Sequence, residues 1–333
     1  MNKVVVISGA TGMSGCETVK QLLKKDYIII AFDNFFASSI DSLNESKDHK
    51  NLFFFEYDIN NDAHMNSLEK FVLEKSTGKD LYFINYAAVV HTKYFYSPES
   101  TFQTNVLGMK KFLDLAIRLK ASRFINCSTS EVYSMNSYKE GGVKEDDVLA
   151  LVTAESSQRT SYATGKLMTE FFMKEAIDKN LIKGCSIRFA NVYSNDELFA
   201  EHIIPYTIDS LMKSNTITLF ENAKNTFRTF LHNYDSCSGV ISLLEAKECL
   251  DGTIYNIGTE EEIAIVDLVK LIASKMNISN LEIKYQGVRS ADPVRRLLNT
   301  DKIRAKTAWT PKVSLEKGIE MCLEFKKKLF QSI

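Results

Sequence analysis

Tyr162 and Lys166 stand four residues apart in "SYATGK" (161 to 166), and the continuation "LMTEFFMKEAI" has helical composition. On a helix that spacing puts both side chains on one face. The pair is then either a surface coincidence or an acid/base device in which the ammonium stabilises a phenolate. Free tyrosine titrates near 10, so a proton-transfer role near neutrality needs about 4 kcal/mol of differential stabilisation, and a cation must stand close by. Thr129 in "NCSTSEVYS" (126 to 134) offers a hydroxyl for the same step, with Ser130 and Glu131 beside it.

A second set of residues has the chemistry of dinucleotide binding. In "SGATGMSG", Gly9, Gly12 and Gly15 follow an apolar run and open a helix-like segment. Glycines there allow a tight turn and let the backbone approach a pyrophosphate at the positive end of the helix. The triplet carries weight only in that strand, turn and helix context. Asp33 ends the next apolar run, where a carboxylate accepts hydrogen bonds from an adenosine ribose and repels a 2'-phosphate by about 4 kcal/mol per unit charge at 4 Å and an effective dielectric near 20. The expected cofactor is therefore NAD. Asp58, after the third run in "FFFEYDI", is expected near the adenine. Both aspartates would otherwise be ordinary turn residues.

These side chains need a scaffold that brings them to one edge. "KVVVIS" (3 to 8), "YIIIAF" (27 to 32), "LFFFEY" (52 to 57), "LYFINY" (81 to 86), "RFINCS" (123 to 128) and "KGCSIRF" (183 to 189) are strand-length and apolar. Such runs suit strands buried on both faces. Helix candidates lie between them at 14 to 25, 62 to 75, 99 to 120 and 158 to 180, and Pro98 suits a helix start. The alternation predicts an α/β fold: a Rossmann-like doubly wound parallel sheet, with a smaller C-terminal α/β lobe for substrate. Residues 1 to 190 would form the dinucleotide-binding unit, completed by about 229 to 257. Residues 191 to 228 and 258 to 333 would form the lobe, with helices near 202 to 213, 235 to 248, 266 to 276 and 314 to 330 and strands at 216 to 220, 253 to 258 and 281 to 286. In open sheets of this kind ligands lie at the carboxyl ends of the strands, which is where 128 to 131 would be delivered.

Composition narrows the remaining choices. In 333 residues, 41 basic and 42 acidic side chains nearly cancel, leaving a net charge of -1 and no basic stretch suited to nucleic acid. The 6 cysteines lie far apart, and the 5 histidines show no metal-ligand spacing, so no metal is expected. No apolar run reaches the roughly 18 residues needed to span a bilayer. The expected setting is cytoplasmic, without nucleic acid or membrane partners.

The order "GATGMSG", Asp33, "NYAA" (85 to 88), "STSEVY", YxxxK and "RFANVY" resembles the extended short-chain dehydrogenase/reductases that modify nucleotide-activated sugars, over nearly the whole chain. The resemblance implies Thr129, Tyr162, Lys166 and Glu131 as catalytic residues. It implies a cofactor site of Gly9, Thr11, Gly12, Met13 and Gly15 with Asp33, Asn34, Asp58 and Ile59, closed by Ala87 and Ala88 and by Tyr162 and Lys166. Ser130, Asn191, Arg228 and Arg289 would hold the nucleotide diphosphate sugar; Arg295 and Arg296 in "DPVRR" are further candidates. His91 would face the sugar or be a plain loop residue. A homodimer is implied through the helices at 99 to 120 and 158 to 180, with Phe112, Leu115, Phe171 and Phe172 serving either that interface or the core.

The implied chemistry begins with oxidation at C4 of the sugar. The 4-keto sugar is then dehydrated across C5 and C6 with Glu131 as base, or reduced on its other face to the C4 epimer. Alternatives are decarboxylation of a C6 carboxylate, release as a net C4 oxidation, or a non-catalytic NAD-binding sensor. "TSEVY", "RTSYATGK" and "DPVRR" match the decarboxylases as well as the dehydratases. The chain departs from the family pattern at Ser134, where glycine is expected, in "VYSND", which lacks the usual Gly-Pro, and at Ser130, where several dehydratases place an aspartic acid.

Overall fold

The structure, a computed structural model, describes residues 3–197, 199–289 and 292–331. Its strands are β1 (Lys3–Ser8), β2 (Ile28–Asp33), β3 (Leu52–Glu56), β4 (Asp80–Asn85), β5 (Arg123–Thr129), β6 (Gly184–Phe189), β7 (Asn191–Tyr193), β8 (Thr216–Leu219), β9 (Phe227–His232), β10 (Asp251–Ile257), β11 (Glu262–Ala264) and β12 (Glu282–Tyr285). The helices are α1 (Met13–Leu23), α2 (Asp62–Ser76), α3 (Pro98–Thr101), α4 (Met109–Arg118), α5 (Thr160–Asp178), α6 (Ile203–Lys213), α7 (Asn233–Glu245), α8 (Ile265–Lys275), α9 (Asp301–Thr307) and α10 (Leu315–Gln331).

The apolar runs pair as one parallel seven-stranded sheet in the order β10-β6-β5-β4-β1-β2-β3. Alternate residues of β1, β2, β4 and β5 feed two different cores, which is why those runs are so apolar. Val5, Ile7 and Ile29 pack with Val19 and Leu22 of α1 and Val240 and Leu244 of α7. Val4, Val6 and Phe32 pack with Leu68 of α2, Phe112 and Leu113 of α4 and Met173 of α5. Burying each such side chain stabilises the fold by about 1.5–3 kcal/mol. The sheet is the expected doubly wound fold. Its strand order reverses between β1 and β4, and a crevice opens at their carboxyl ends.

The remaining strands form a three-stranded sheet, β11-β9-β7, and the pair β12-β8, packed with α6, α8 and α10 around Ile208, Leu268, Ile272 and Ile319. Three of these strands, β7, β9 and β11, lie outside the apolar runs of the sequence. The helix expected over 99 to 120 is interrupted: Phe102–Gly108 forms a wide π-helical turn between α3 and α4. Asn105 in that turn accepts from the Val89 amide at 2.6 Å and donates to the Val89 carbonyl at 3.1 Å, clamping the loop after β4. Widened turns of this kind commonly mark functional sites. Phe112 and Leu115 are fully buried in the chain's own core and are unavailable to a partner, whereas Phe171 is 62% exposed. Among the described residues no helix is long and apolar enough to cross a membrane.

Candidate active site

The crevice at the strand reversal is a cleft of about 820 Å³. Its floor is the glycine turn, and each glycine has a different reason to be there. Gly9 adopts φ +68°, and a Cβ on it would lie 2.6 Å from the Ala87 amide nitrogen. A Cβ on Gly15 would lie 2.1 Å from the Gly9 carbonyl oxygen. These two are required by the fold. A Cβ on Gly12 would meet only the Gly9 oxygen, at 3.4 Å, so the fold itself tolerates a side chain there. The start of α1 has no side-chain cap and no acidic residue in its first turn, leaving amide donors for an anion.

Asp33 ends β2 and is 9% exposed. Its Oδ2 accepts from the Thr11 amide at 3.1 Å and its Oδ1 from the Phe35 amide at 3.0 Å, so it braces the turn as well as facing the cleft. Asn34 donates to Asp58 Oδ2 at 3.1 Å, and Asp58 Oδ1 accepts from the Asn60 amide at 2.7 Å. Met13, Ile59, Ala87 and Ala88 complete this wall. Glycine turn, bare helix terminus and carboxylate together fit a dinucleotide.

Thr129, Tyr162 and Lys166 line the same cleft. Thr129 is the last residue of β5, and its hydroxyl accepts from the Glu131 amide at 3.2 Å. Tyr162 stacks flat on Phe95. Burial pushes its phenol well above the ordinary value and the Glu131 charge adds to this, while the Thr129 hydroxyl pulls it down. Lys166 Nζ donates to the Cys127 carbonyl at 2.8 Å. Burial brings its ammonium down to about 8, against the raising influence of Cys127 and Glu170. The sequence places Lys166 as the group that lowers the tyrosine; in the chain alone the lysine is directed at the strand carbonyl and Tyr162 is held neutral.

The other expected residues are not part of this cleft's lining. Burial alone would raise Glu131, but Arg296 and Arg159 outweigh it and hold the carboxyl at about 2. Their guanidiniums donate to Glu131 Oε1 at 2.8 and 3.2 Å. Arg228 donates to Asp292 at 2.8 Å and to the carbonyl of Val294 at 3.2 Å. Arg289 reaches the other Asp292 oxygen at 3.8 Å. Four guanidiniums thus face two carboxylates, an excess of two positive charges, and Arg296 Nε and Nη2 have no hydrogen-bond partner among the described residues. Asn191 donates to the Thr229 carbonyl at 3.2 Å, and Ser130 is buried. Arg295 pairs with Glu262 and stands 3.8 Å from the Tyr138 ring centroid. His91 sits 3.4 Å from Glu201, tied to the loop that carries Phe199. The stack of Phe95 on Tyr162 has no local sequence signal.

Fold and cleft define a dinucleotide-binding α/β protein with a phenol, a hydroxyl and an ammonium at one end of its ligand cleft. The family model described as GDP-mannose 4,6 dehydratase matches residues 6–322, and the chain belongs to that family. It is 27% identical over 343 residues to the dTDP-D-glucose 4,6-dehydratase of Mus musculus, covering 99% of this chain and 90% of the relative. It is 25% identical over 343 residues to UDP-glucuronic acid decarboxylase 1 of Arabidopsis thaliana, covering 98% and 70%. Among solved structures, UDP-glucuronic acid 4-epimerase from Bacillus cereus, in complex with UDP-glucuronic acid and NAD, superposes with a TM-score of 0.85 at 21% identity, covering 98% of this chain and 99% of that one.

Proposed function

We propose that the chain is an NAD-dependent enzyme that oxidises a nucleotide-diphosphate sugar at C4 and then dehydrates or epimerises the 4-keto sugar. The observation that carries this reading is that Thr129, Tyr162 and Lys166 line the same cleft as Gly12 and Asp33. Gly9, Gly12, Gly15 and the first turn of α1 would hold the NAD pyrophosphate, Asp33 the adenosine ribose, and Asn34, Asp58 and Ile59 the adenine side. Bound there, NAD supplies the acceptor for the C4 hydride. Tyr162 takes the 4-hydroxyl proton, directly or through Thr129, and Lys166 supplies the positive charge that makes the phenol a stronger acid. Ser130, Asn191, Arg228 and Arg289 flank the sugar diphosphate, and the cluster's two excess positive charges suit a diphosphate.

Glu131 sharpens the choice among later steps. A carboxylate held at about 2 by two arginines is a weak base for removing a C5 proton, and Ser130 is no carboxylic acid for a departing hydroxyl. That observation favours a second reading, decarboxylation of a C6 carboxylate, which needs neither group in those roles. The unpartnered donors of Arg296 suit a carboxylate.

The enzyme works in the cytoplasm as a homodimer. Phe102, Leu107, Met168 and Phe171 stand exposed on α5 and on the π-helical turn, and Phe172 borders them. The test of the catalytic reading is to mix the NAD-loaded protein with UDP-, GDP-, CDP- and dTDP-sugars and follow absorbance of reduced nicotinamide. A transient reduction with one sugar supports it, and no reduction with any of them, at saturating concentration, counts against it.

A further inference from the structure

Behind the proposed catalytic pair lies a second charge pair that has no role in the reading above. Glu170 follows Lys166 by one turn of α5 and Tyr162 by two, so the three side chains share a face. Its Oε1 accepts from Ser128 Oγ at 2.6 Å and from Arg188 Nε at 3.0 Å, and its Oε2 accepts from Arg188 Nη2 at 2.8 Å. Both charged side chains are 4% exposed. A buried ion pair is weak evidence for stabilisation, because desolvation offsets most of the attraction. Its location therefore calls for another account.

Three turns of α5 grip three neighbouring residues at the end of β5. Tyr162 meets Thr129, Lys166 donates to the Cys127 carbonyl, and Glu170 takes the Ser128 hydroxyl. Arg188 lies opposite Ser128 in the β5–β6 register. It donates onward to the Glu145 carbonyl at 3.0 Å and covers the Tyr133 ring, whose hydroxyl donates to Asn256 of β10 at 2.8 Å. The tether thus runs from α5 through β5 and β6 to the sheet edge.

We infer that Glu170 is a positioning residue for the Tyr162–Lys166 pair: the buried carboxylate one helical turn beyond Lys166, whose hold on Ser128 fixes the strand end on which both side chains rest. The inference rests on the catalytic reading above. The ionisable groups around Lys166 are Tyr162 and Glu170 from its own helix and Cys127 from β5, while Arg188 from β6 faces Glu170 from the far side. Among these described groups the carboxylate is Glu170. Burial drives Lys166 toward the neutral amine, and Glu170 opposes it, so removing the carboxylate lowers the pH at which the cation is lost.

The test has a readout independent of turnover. The full chain, without cofactor, is labelled with ¹³Cε-lysine and titrated by NMR, the Lys166 signal being assigned with Lys166→Arg. In Glu170→Gln the Lys166 midpoint falls by about half a unit or more, and Glu170→Asp restores it toward wild type. Glu170→Gln leaves a buried guanidinium unpaired and can fail to fold, so Glu170→Gln/Arg188→Gln, which removes both charges, is titrated alongside and moves in the same direction. In turnover the alkaline limb of kcat shifts to lower pH with KM for the sugar nucleotide unchanged, and Ser128→Ala lowers kcat about tenfold, also without a KM change. An unmoved Lys166 midpoint in the folded Glu170 variants overturns the inference. Should the wild type turn over no nucleotide sugar, the catalytic reading fails while the titration still decides whether Glu170 controls Lys166.

Discussion

The Tyr162 ring lies face to face with that of Phe95, centroids 4.1 Å apart and planes 7° from parallel. The stack fixes the direction of the phenol and shields it from water, which is one reason its proton is held so firmly in the chain alone. Tyr162→Phe keeps the stack and removes only the hydroxyl. Its fold and NAD affinity should match wild type while turnover drops by about 10²- to 10⁴-fold. Steady-state kinetics beside a calorimetric NAD titration checks both halves, and a variant retaining more than about a tenth of the rate would remove Tyr162 from the proton transfer.

The glycine turn separates residues needed by the fold from one, Gly12, that the fold leaves open for the proposed NAD. Gly12→Ala has room for its methyl and should change stability by no more than about 1 kcal/mol while weakening NAD binding sharply. Gly15→Ala collides with the Gly9 carbonyl and should lose about 1–3 kcal/mol of stability. Denaturant midpoints and NAD titrations on the two variants make the comparison. Equal loss of stability in both would contradict the assignment of Gly12 to the ligand.

Ser134 sits at φ +48°, ψ -116°, a conformation that favours glycine, directly after the Ser130–Tyr133 turn. Ser134→Gly should relieve this strain and raise stability by about 1 kcal/mol. A urea unfolding curve with an unchanged or lower midpoint would show that the strain is absent or is offset by lost hydrogen bonds.

Glu131 should leave a signature in the acid limb of stability. Its carboxyl is lowered from 4.5 to about 2, so its contribution is fully present above 4.5 and is lost as pH falls toward 2. The size is on the order of 3 kcal/mol. In Glu131→Gln, stability should fall less steeply across that window than in wild type. Parallel curves from urea titrations at several pH values would place Glu131 outside the arginine clamp.

Much of this arrangement was legible in residues whose neighbours in sequence are also their neighbours in space. The turn at Gly9–Gly15, Asp33 at a strand end and the Tyr162/Lys166 spacing all depend on local geometry, and the long apolar runs mark a sheet covered on both faces. The short strands β7, β9 and β11 carry mixed polar residues and exist because they pair with one another across 191 to 264, which no local pattern records. The stack of Phe95 on Tyr162 and the closure of Arg159 and Arg296 on Glu131 likewise join segments far apart in the chain. The interruption at Phe102–Gly108 follows from the hydrogen bonds of Asn105 to the loop after β4, a demand made by tertiary structure on an otherwise helical stretch.

The most direct test of the account is mass spectrometry of products after the purified protein and NAD are incubated in deuterium oxide with UDP-, GDP-, CDP- and dTDP-sugars, uronates included. The account predicts conversion of one of them. Loss of water with deuterium gained marks dehydration, loss of carbon dioxide marks decarboxylation, and an unchanged mass with a new retention time marks epimerisation. Recovery of every sugar unchanged, from protein shown to bind NAD, would contradict the claim that this cleft oxidises a nucleotide sugar at C4.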